Sequence, residues 1–596
     1  MAIGIDLRDL LPDELPSGIE ARAEGERLGR GVERSRSLFC EHHGVKSERE
    51  FRERARNEGR HLTSINIGLA TWADTREALG CIYDDALSRG VQPPDAFTLL
   101  AERRMGLPEA MRADAPQETG PVLWTDEDWW ELTHTVPIQP GAEDNIIGGP
   151  GSVENALQAL RVGVTHVGVL SQYFWRWPYW DDDVAQTVAV VTAVGALAAW
   201  SHEGVCFNSY LDDCYPGIFH DYANLVGWAM VERYVTERLM GVPYAASWGG
   251  LTRDPVTKTA VTLALHAVNP DRVPPAFTHG DTISNGPDLD ANYAVSSVDV
   301  LYMKATDNRY RIGSAIKAVP VTEAVRIPSW QEVAGAHTLN RTLEGYVPVL
   351  DSTLDWSVIE AKRDELVAGG RRFFTNVIEG FKAGGIDVEE PLQMLLALKN
   401  LGAIQAEELF GVGAVDETFP RGRRPILQTD LLRRTLAERE EFGSQIAAAG
   451  NSAALVGRRV VVTSTDVHEM AAFLLCNALT DAGAEVIDLG VSRDPEDIVK
   501  ATIETAAGAI VVTTHNGVAR SFAGALLNEL KAAEAGAVDI YMGGVLNEDD
   551  DESDVPRDVT EDLRRLGILL PADVGELVAS LATDGSRPPH DVPSPV

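Results

Sequence analysis

From residue 62 onward the chain alternates between two patterns. A short run rich in β-branched residues is followed by a longer stretch with helical spacing, and the pair repeats. "SINIGLAT" (64–71) precedes "WADTREALGCIYDDALSRG", and "HVGVLSQY" (166–173) precedes "DDDVAQTVAVVTAVGALAAWSHEG". "VCFNSYL" (205–211) precedes "YANLVGWAMVERYVTERLMG", and "YAASWGG" (244–250) precedes "DPVTKTAVTLALHAV". "PAFTHGD" (275–281) is followed by "VDVLYMKAT" (298–306), which reads as a later strand ending near Lys304. Strands separated by helices pair in parallel. So many units before any break predict a closed (β/α)8 TIM-like barrel rather than an open sheet. The spacing between 75 and 160 is uneven and leaves some strands unassigned.

The flanks read differently. Residues 1–60 are polar and arginine-rich with helical spacing, a leader expected to pack on something larger. The barrel domain is placed at 61–411, its last part helical, and 412–457 reads as a linker. Residues 458–580 form a second α/β domain of alternating strands and helices. Asp494 is an N-cap and Pro495 opens the helix after it. Such a domain is flavodoxin-like (Rossmann-like) and doubly wound. The tail, 581–596, is rich in Pro and polar residues and is expected to be disordered.

Composition excludes several functions. The chain has 596 residues and a formal net charge of −38, which repels nucleic acid and anionic membranes. No apolar run reaches the roughly 18 residues a membrane span needs. The N-terminus is acidic where a signal peptide is basic, so a cytoplasmic protein is expected. The five cysteines show no CxxC spacing, against a disulfide framework or a structural zinc site.

The chemistry gathers at "VVTSTDVHEM", where Asp466 and His468 follow the first strand of the second domain. Ligands of such domains sit at the carboxyl ends of the strands. Gly517, Gly543 and Gly544 follow later strands on the same rim and allow close approach to the backbone. A carboxylate can take one imidazole N–H and leave the other nitrogen for a metal. One histidine cannot hold free zinc, but it suffices for a metal already held by a macrocycle.

On these residues, 458–565 resemble the cobalamin-binding domain of glutamate mutase (methylaspartate mutase) and its relatives. That family carries Asp-x-His-x-x-Gly, then Ser-x-Leu, then Gly-Gly. Here stand Asp466, His468 and Ala471, then Thr513 and His515, then Gly543 and Gly544. The resemblance implies that His468 is the lower axial ligand of cobalt and Asp466 orients it. The cofactor's displaced dimethylbenzimidazole tail then runs beside the sheet. Ala471, Thr513 and His515 depart from the pattern and crowd or polarise that path.

Residues 140–410 resemble the barrel subunit of the same family, more faintly. "QYFWRWPYWDDDVAQ" stands at its Tyr-containing loop, and "DVLYMKATDNRYRIGSAIKAVPV" at its later strands. The resemblance implies an adenosylcobalamin-dependent radical isomerase, a carbon-skeleton mutase of a small carboxylic acid. Tyr173, Arg176, Tyr179 and Lys304 are its candidate catalytic residues, and Asp281 its companion at the barrel mouth. Glutamate itself is not expected as substrate, because "EDNIIGGPGSVENAL" lacks the arginines that clamp two carboxylates. The aromatic loop 173–180 reads either as a pocket wall or as packing. His202, His220 and His279 suit acid/base work. A homodimer is expected. The alternatives are a cobalamin-dependent methyltransferase, whose corrinoid domain follows a helical cap, and a non-catalytic corrinoid-binding protein.

Overall fold

Eight β/α units follow one another in the first part of the chain. β1 (Leu62–Ile67) leads to α4 (Trp72–Ser88), β2 (Ala96–Leu99) to α5 (Asp126–His134), and β3 (Gln139–Ala142) to α6 (Ser152–Arg161). β4 (His166–Val167) leads to α7 (Asp183–Ala198), β5 (Cys206–Tyr210) to α8 (Tyr222–Arg233), and β6 (Tyr244–Ser247) to α9 (Pro255–Ala267). β7 (Phe277–His279) leads to α10 (Leu289–Tyr310) and β8 (Ala315–Lys317) to α11 (Trp330–Thr342). Three helices precede them: α1 (Gly18–Arg30), α2 (Leu38–His43) and α3 (Glu48–Glu58). This computed structural model describes residues 6–212, 215–324, 326–448, 453–465, 469–491, 493–515, 517–535, 538–548 and 557–583.

The strands are parallel and ordered β6-β5-β4-β3-β2-β1-β8-β7. The His279 N–H donates to the Trp248 carbonyl at 2.8 Å and brings β7 back to the end of β6. The sheet is thus a nearly closed barrel, as the alternation predicted. Pleating sorts the side chains. Ile65 and Ile67 of β1 join the core beneath the helices, whereas Asn66 reaches across to His279 of β7.

The leader is helical and closes the barrel's N-terminal end. The Glu48 N–H donates to Thr165 Oγ1 ahead of β4, Arg52 donates to the Pro275 carbonyl ahead of β7, and Ser37 donates to Gln139 in β3. Buried Glu48 also bonds His166 Nδ1 at 2.9 Å and takes the Arg52 Nε–H at 2.7 Å. α1 lies against α7 with almost no gap. A Cβ on Gly25 would stand 1.9 Å from the Thr192 carbonyl oxygen, and one on Gly29 2.3 Å from that of Ala196.

Three readings change. "VDVLYMKAT" is not a strand. Val298 and Val300 alternate with Ser297 and Asp299 as in a strand, but Asp288 caps a helix that runs straight through them. The eighth strand is the three-residue β8, further along. "HVGVLSQY" keeps only two strand residues, because Gly168 (φ 80°) turns the chain into a 3-10 helix over Leu170–Phe174. The first half of the linker belongs to the barrel unit, which runs to Asp430, the second unit beginning at Leu431. There the Asp221 carboxylate accepts from the N–H groups of Ile426 and Leu427, and Thr429 donates to the Phe219 carbonyl. The helices on the way to Asp430 include α12 (Trp356–Ala383) and α13 (Pro391–Leu401).

The second unit has four parallel strands: β9 (Arg459–Ser464), β10 (Glu485–Asp488), β11 (Ala509–Thr514) and β12 (Asp539–Gly544), in the order β10-β9-β11-β12. α14 (Glu469–Asp481) and α17 (Val574–Ala582) cover one face; α15 (Pro495–Thr505) and α16 (Ala519–Ala532) cover the other. It is a flavodoxin-like α/β domain. Among the described residues, no helix is long and apolar enough to cross a membrane.

Candidate functional site

Polar side chains converge inside the barrel at the C-terminal ends of its strands, where (β/α)8 proteins carry their chemistry. Lys317 ends β8. Its Nζ donates to Thr98 Oγ1 at 2.5 Å, and that hydroxyl donates to Glu143 Oε2, just past β3, at 2.9 Å. The ammonium also lies 3.3 Å from the centroid of the Phe277 ring, a cation–π contact. Lys317 and Glu143 are both 2% exposed. Burial pushes Glu143 up to about 7, against the pull of Lys317 and the Thr98 hydrogen bond. Burial likewise pushes Lys317 down to about 8, opposed by Glu143 and Asp144.

His279 ends β7 and completes the layer. Its Nδ1 lies 2.8 Å from the Gly280 carbonyl oxygen, which can only accept, so Nδ1 carries the proton. Nε2 is therefore the acceptor for the Asn66 Nδ2–H at 2.9 Å. Burial, then Lys317, holds this imidazole down at about 3, so it is neutral. Tyr210 stands beside it, 5.2 Å from Phe277 between ring centroids. Asn66 and Tyr210, which border the layer, are half-buried.

The residues expected here are mostly elsewhere. Lys304 lies in α10, not at a strand end, and its buried Nζ donates to Glu344 at 2.9 Å. Glu344 also accepts from Arg341, whose guanidinium binds the carbonyls of His61 and Pro93 ahead of β1 and β2. That is the opposite end of the barrel. The Tyr173 hydroxyl donates to the Leu395 carbonyl in α13. Arg176 approaches Asp183 at 3.9 Å, and Tyr179 is exposed with φ 57°. The Asp281 carboxylate accepts from the Ser284 N–H and shapes its own turn. The aromatic loop is packing: the Trp177 ring fills the hollow left by Gly106 and Gly149, where a Cβ would come within 2.0 and 2.7 Å of it. Of the three histidines considered, His279 is the one in this layer.

In the second unit, Ser464, Thr513 and Gly543 stand in register across β9, β11 and β12 near their C-terminal ends. They share the face covered by α14 and α17, since Val462, Val511 and Tyr541 two residues earlier pack there. The Thr513 hydroxyl is buried and, among the described residues, has no hydrogen-bond partner. A Cβ on Gly543 would meet nothing within 4 Å. At Gly544 a Cβ would stand 2.3 Å from the Thr514 carbonyl oxygen, with φ at 105°. Gly517 (φ 77°) turns the chain after β11. His515 is half-buried just past β11, and Ala471 lies in the first turn of α14, also half-buried. Asp466 and His468 lie outside the described residues.

Residues 459–559 match the B12 binding domain. No curated protein matches the chain. Among solved structures, a novel cobalamin-binding protein from Desulfitobacterium hafniense DCB-2 is similar at 16% identity. The match covers 38% of this chain and 97% of that one, with a TM-score of 0.19. The B12-binding domain thus spans β9 to β12, and the register row lies inside it. That row fits a corrinoid's nucleotide tail, which has a flat base and a polar ribose phosphate. Gly543 leaves width beside the sheet, and the Thr513 hydroxyl offers a hydrogen bond that the described residues do not use.

The barrel layer was harder to find in the sequence. β3 is "QPGA", two of whose four residues are strand breakers. Its end, and so the position of Glu143, carries no strand signal. Lys317 ends a strand of three residues.

Proposed function

We propose that this chain is an adenosylcobalamin-dependent radical isomerase of a small carboxylic acid. The observation that carries the reading is the joining, in one chain, of a B12-binding domain to a nearly closed barrel with a buried Lys317–Thr98–Glu143 layer at its mouth. Adenosylcobalamin, when bound, supplies a weak cobalt–carbon bond as a source of radicals. His468 would supply the imidazole that ligates the cobalt, and Asp466 the carboxylate that orients it. Thr513 hydrogen-bonds the nucleotide tail, Gly543 makes room for it, and Gly517 and Gly544 let it lie close to the backbone. Ala471 and His515 border the same path. In the barrel, Lys317 binds a substrate carboxylate, and the enclosed strands keep water from a reactive substrate.

The methyltransferase reading depends on a helical cap ahead of the B12-binding domain. The segment that suggested one, "RRFFTNVIEGFKAGG", is the second half of α12. That helix packs on α8 of the barrel, where a Cβ on Gly227 would stand 2.7 Å from the Gly370 carbonyl oxygen. That segment is therefore part of the barrel unit and not a cap on the B12-binding domain, which, among the described residues, a single helix, Asp430–Ala448, directly precedes. The test is to load purified protein with adenosylcobalamin under anaerobic conditions and add candidate acids. A substrate-triggered EPR signal with cobalt coupling supports the isomerase. Methyl transfer from methylcobalamin without such a signal favours the methyltransferase, and corrinoid uptake with neither activity favours a binding protein.

A further inference from the structure

We propose that the barrel mouth selects a zwitterionic substrate, a small amino acid with a single carboxylate, seated with its carboxylate on Lys317 and its ammonium on Glu143. The fate of the bound molecule rests on the isomerase reading above; its recognition rests on the barrel alone.

The layer sets an amine and a carboxyl group one hydroxyl apart. Lys317 has three N–H donors and Thr98 takes one. Glu143 has lone pairs beyond the one that Thr98 fills. Buried charges are costly unless paired and hydrogen-bonded, and a single shared hydroxyl is a thin complement for both. A zwitterion brings a carboxylate to the first and N–H donors to the second. Asn66 adds a further acceptor, because its Oδ1 has no partner among the described residues while its Nδ2 is held by His279.

The same layer disfavours a dicarboxylate. A second carboxylate would meet Glu143 and Asp144 rather than an arginine, and like charges brought together in a buried site reject a ligand. Phe277 and Tyr210 supply an apolar wall suited to a short hydrocarbon side chain.

The test is isothermal titration of the full chain, free of corrinoid, with common L-amino acids, their des-amino acids, succinate and glutarate. A neutral amino acid should bind at least about tenfold more tightly than its des-amino acid and than either dicarboxylate. Glu143→Gln should erase that preference by weakening the amino acid about tenfold or more while sparing the des-amino acid. Lys317→Met should weaken both. Thermal melting checks that each variant folds; if one does not, the wild-type preference alone decides. Tighter binding of a dicarboxylate or a des-amino acid, an unchanged preference in folded Glu143→Gln, or no binding by any amino acid would overturn the proposal. Corrinoid uptake measured on the same preparations separates the two readings. Its absence counts against the isomerase, whereas intact uptake without amino-acid preference counts against this inference alone.

Discussion

Thr513 and Gly543 are register partners on adjacent parallel strands of the B12-binding domain, one presenting a buried hydroxyl without a partner among the described residues, the other no side chain at all. A buried, unsatisfied hydroxyl costs about 1–3 kcal/mol. Thr513→Val removes it at nearly constant shape. The corrinoid-free variant should therefore be more stable than the parent by about 1 kcal/mol, while its corrinoid affinity falls severalfold. Opposite signs in thermal melting and in corrinoid titration distinguish a ligand-facing hydroxyl from an ordinary packing defect. Gly543→Val should leave the free domain folded, since its Cβ meets open space, and cut corrinoid affinity by more than about tenfold (~1.4 kcal/mol).

The Lys317–Glu143 layer makes stability depend on pH in two windows of opposite slope. Glu143 is raised from 4.5 to about 7, chiefly by burial. Between those values the folded protein keeps a proton that the unfolded chain has lost, so its contribution to stability falls as pH rises through 7. Lys317 is lowered from 10.5 to about 8, again by burial. Between 8 and 10.5 the unfolded chain holds the extra proton, so stability rises with pH there. Asp144, Glu323, Arg52 and His166 also face this pair and modulate both windows. Each contribution is of the order of 3 kcal/mol. Denaturant melts across pH should show Glu143→Gln flattening the lower window and Lys317→Met the upper one. Parallel curves for parent and variants would refute the assignment.

How much of this was legible in the sequence follows from element length. The alternation of strands and helices is a long-range pattern, and it survives misplacement of individual strands, so the barrel could be read from the four clearest units. The rim glycines and Thr513 were legible because β9, β11 and β12 are six-residue strands, β9 and β11 rich in β-branched residues, with Gly517 shortly after β11 and Gly543-Gly544 ending β12. Glu143 and Lys317 were not. Their strands are four and three residues long, one built from Gln, Pro, Gly and Ala, and a barrel closed by neighbours tolerates strands with almost no propensity of their own. Lys304 was misplaced for the converse reason. A local Val-x-Val alternation imitates a strand, while the Asp288 cap that decides for helix lies ten residues upstream of Val298.

That misplacement yields its own prediction. Lys304 is bound to Glu344 at the N-terminal end of the barrel, away from the mouth. Burial lowers it to about 8, against the pull of Glu344. Lys304→Met should therefore act on stability and not on ligand recognition. Glu344 keeps its contact with Arg341, so the cost should be about 1–3 kcal/mol rather than that of a fully orphaned carboxylate. Amino-acid titration of the folded variant should match the parent within twofold or so, since uncoupled distant sites add within ≈ 0.3–0.5 kcal/mol. A tenfold loss of binding without loss of stability would restore Lys304 to the site.

The axial ligand is best tested by spectroscopy. His468→Ala should leave the corrinoid-free protein folded, which thermal melting checks. It should abolish nitrogen coupling from a protein imidazole in the EPR spectrum of the reduced, corrinoid-loaded protein. Asp466→Asn keeps a hydrogen-bond acceptor for the ring but removes the charge that raises its basicity. It should retain coordination while lowering corrinoid affinity by about 10–100-fold, as loss of a carboxylate behind a ligating histidine does elsewhere. The parent must show the coupling for either comparison to hold. If it does not, Ala471→Gly is the variant that decides whether the methyl group on the first turn of α14 is what keeps the imidazole from cobalt.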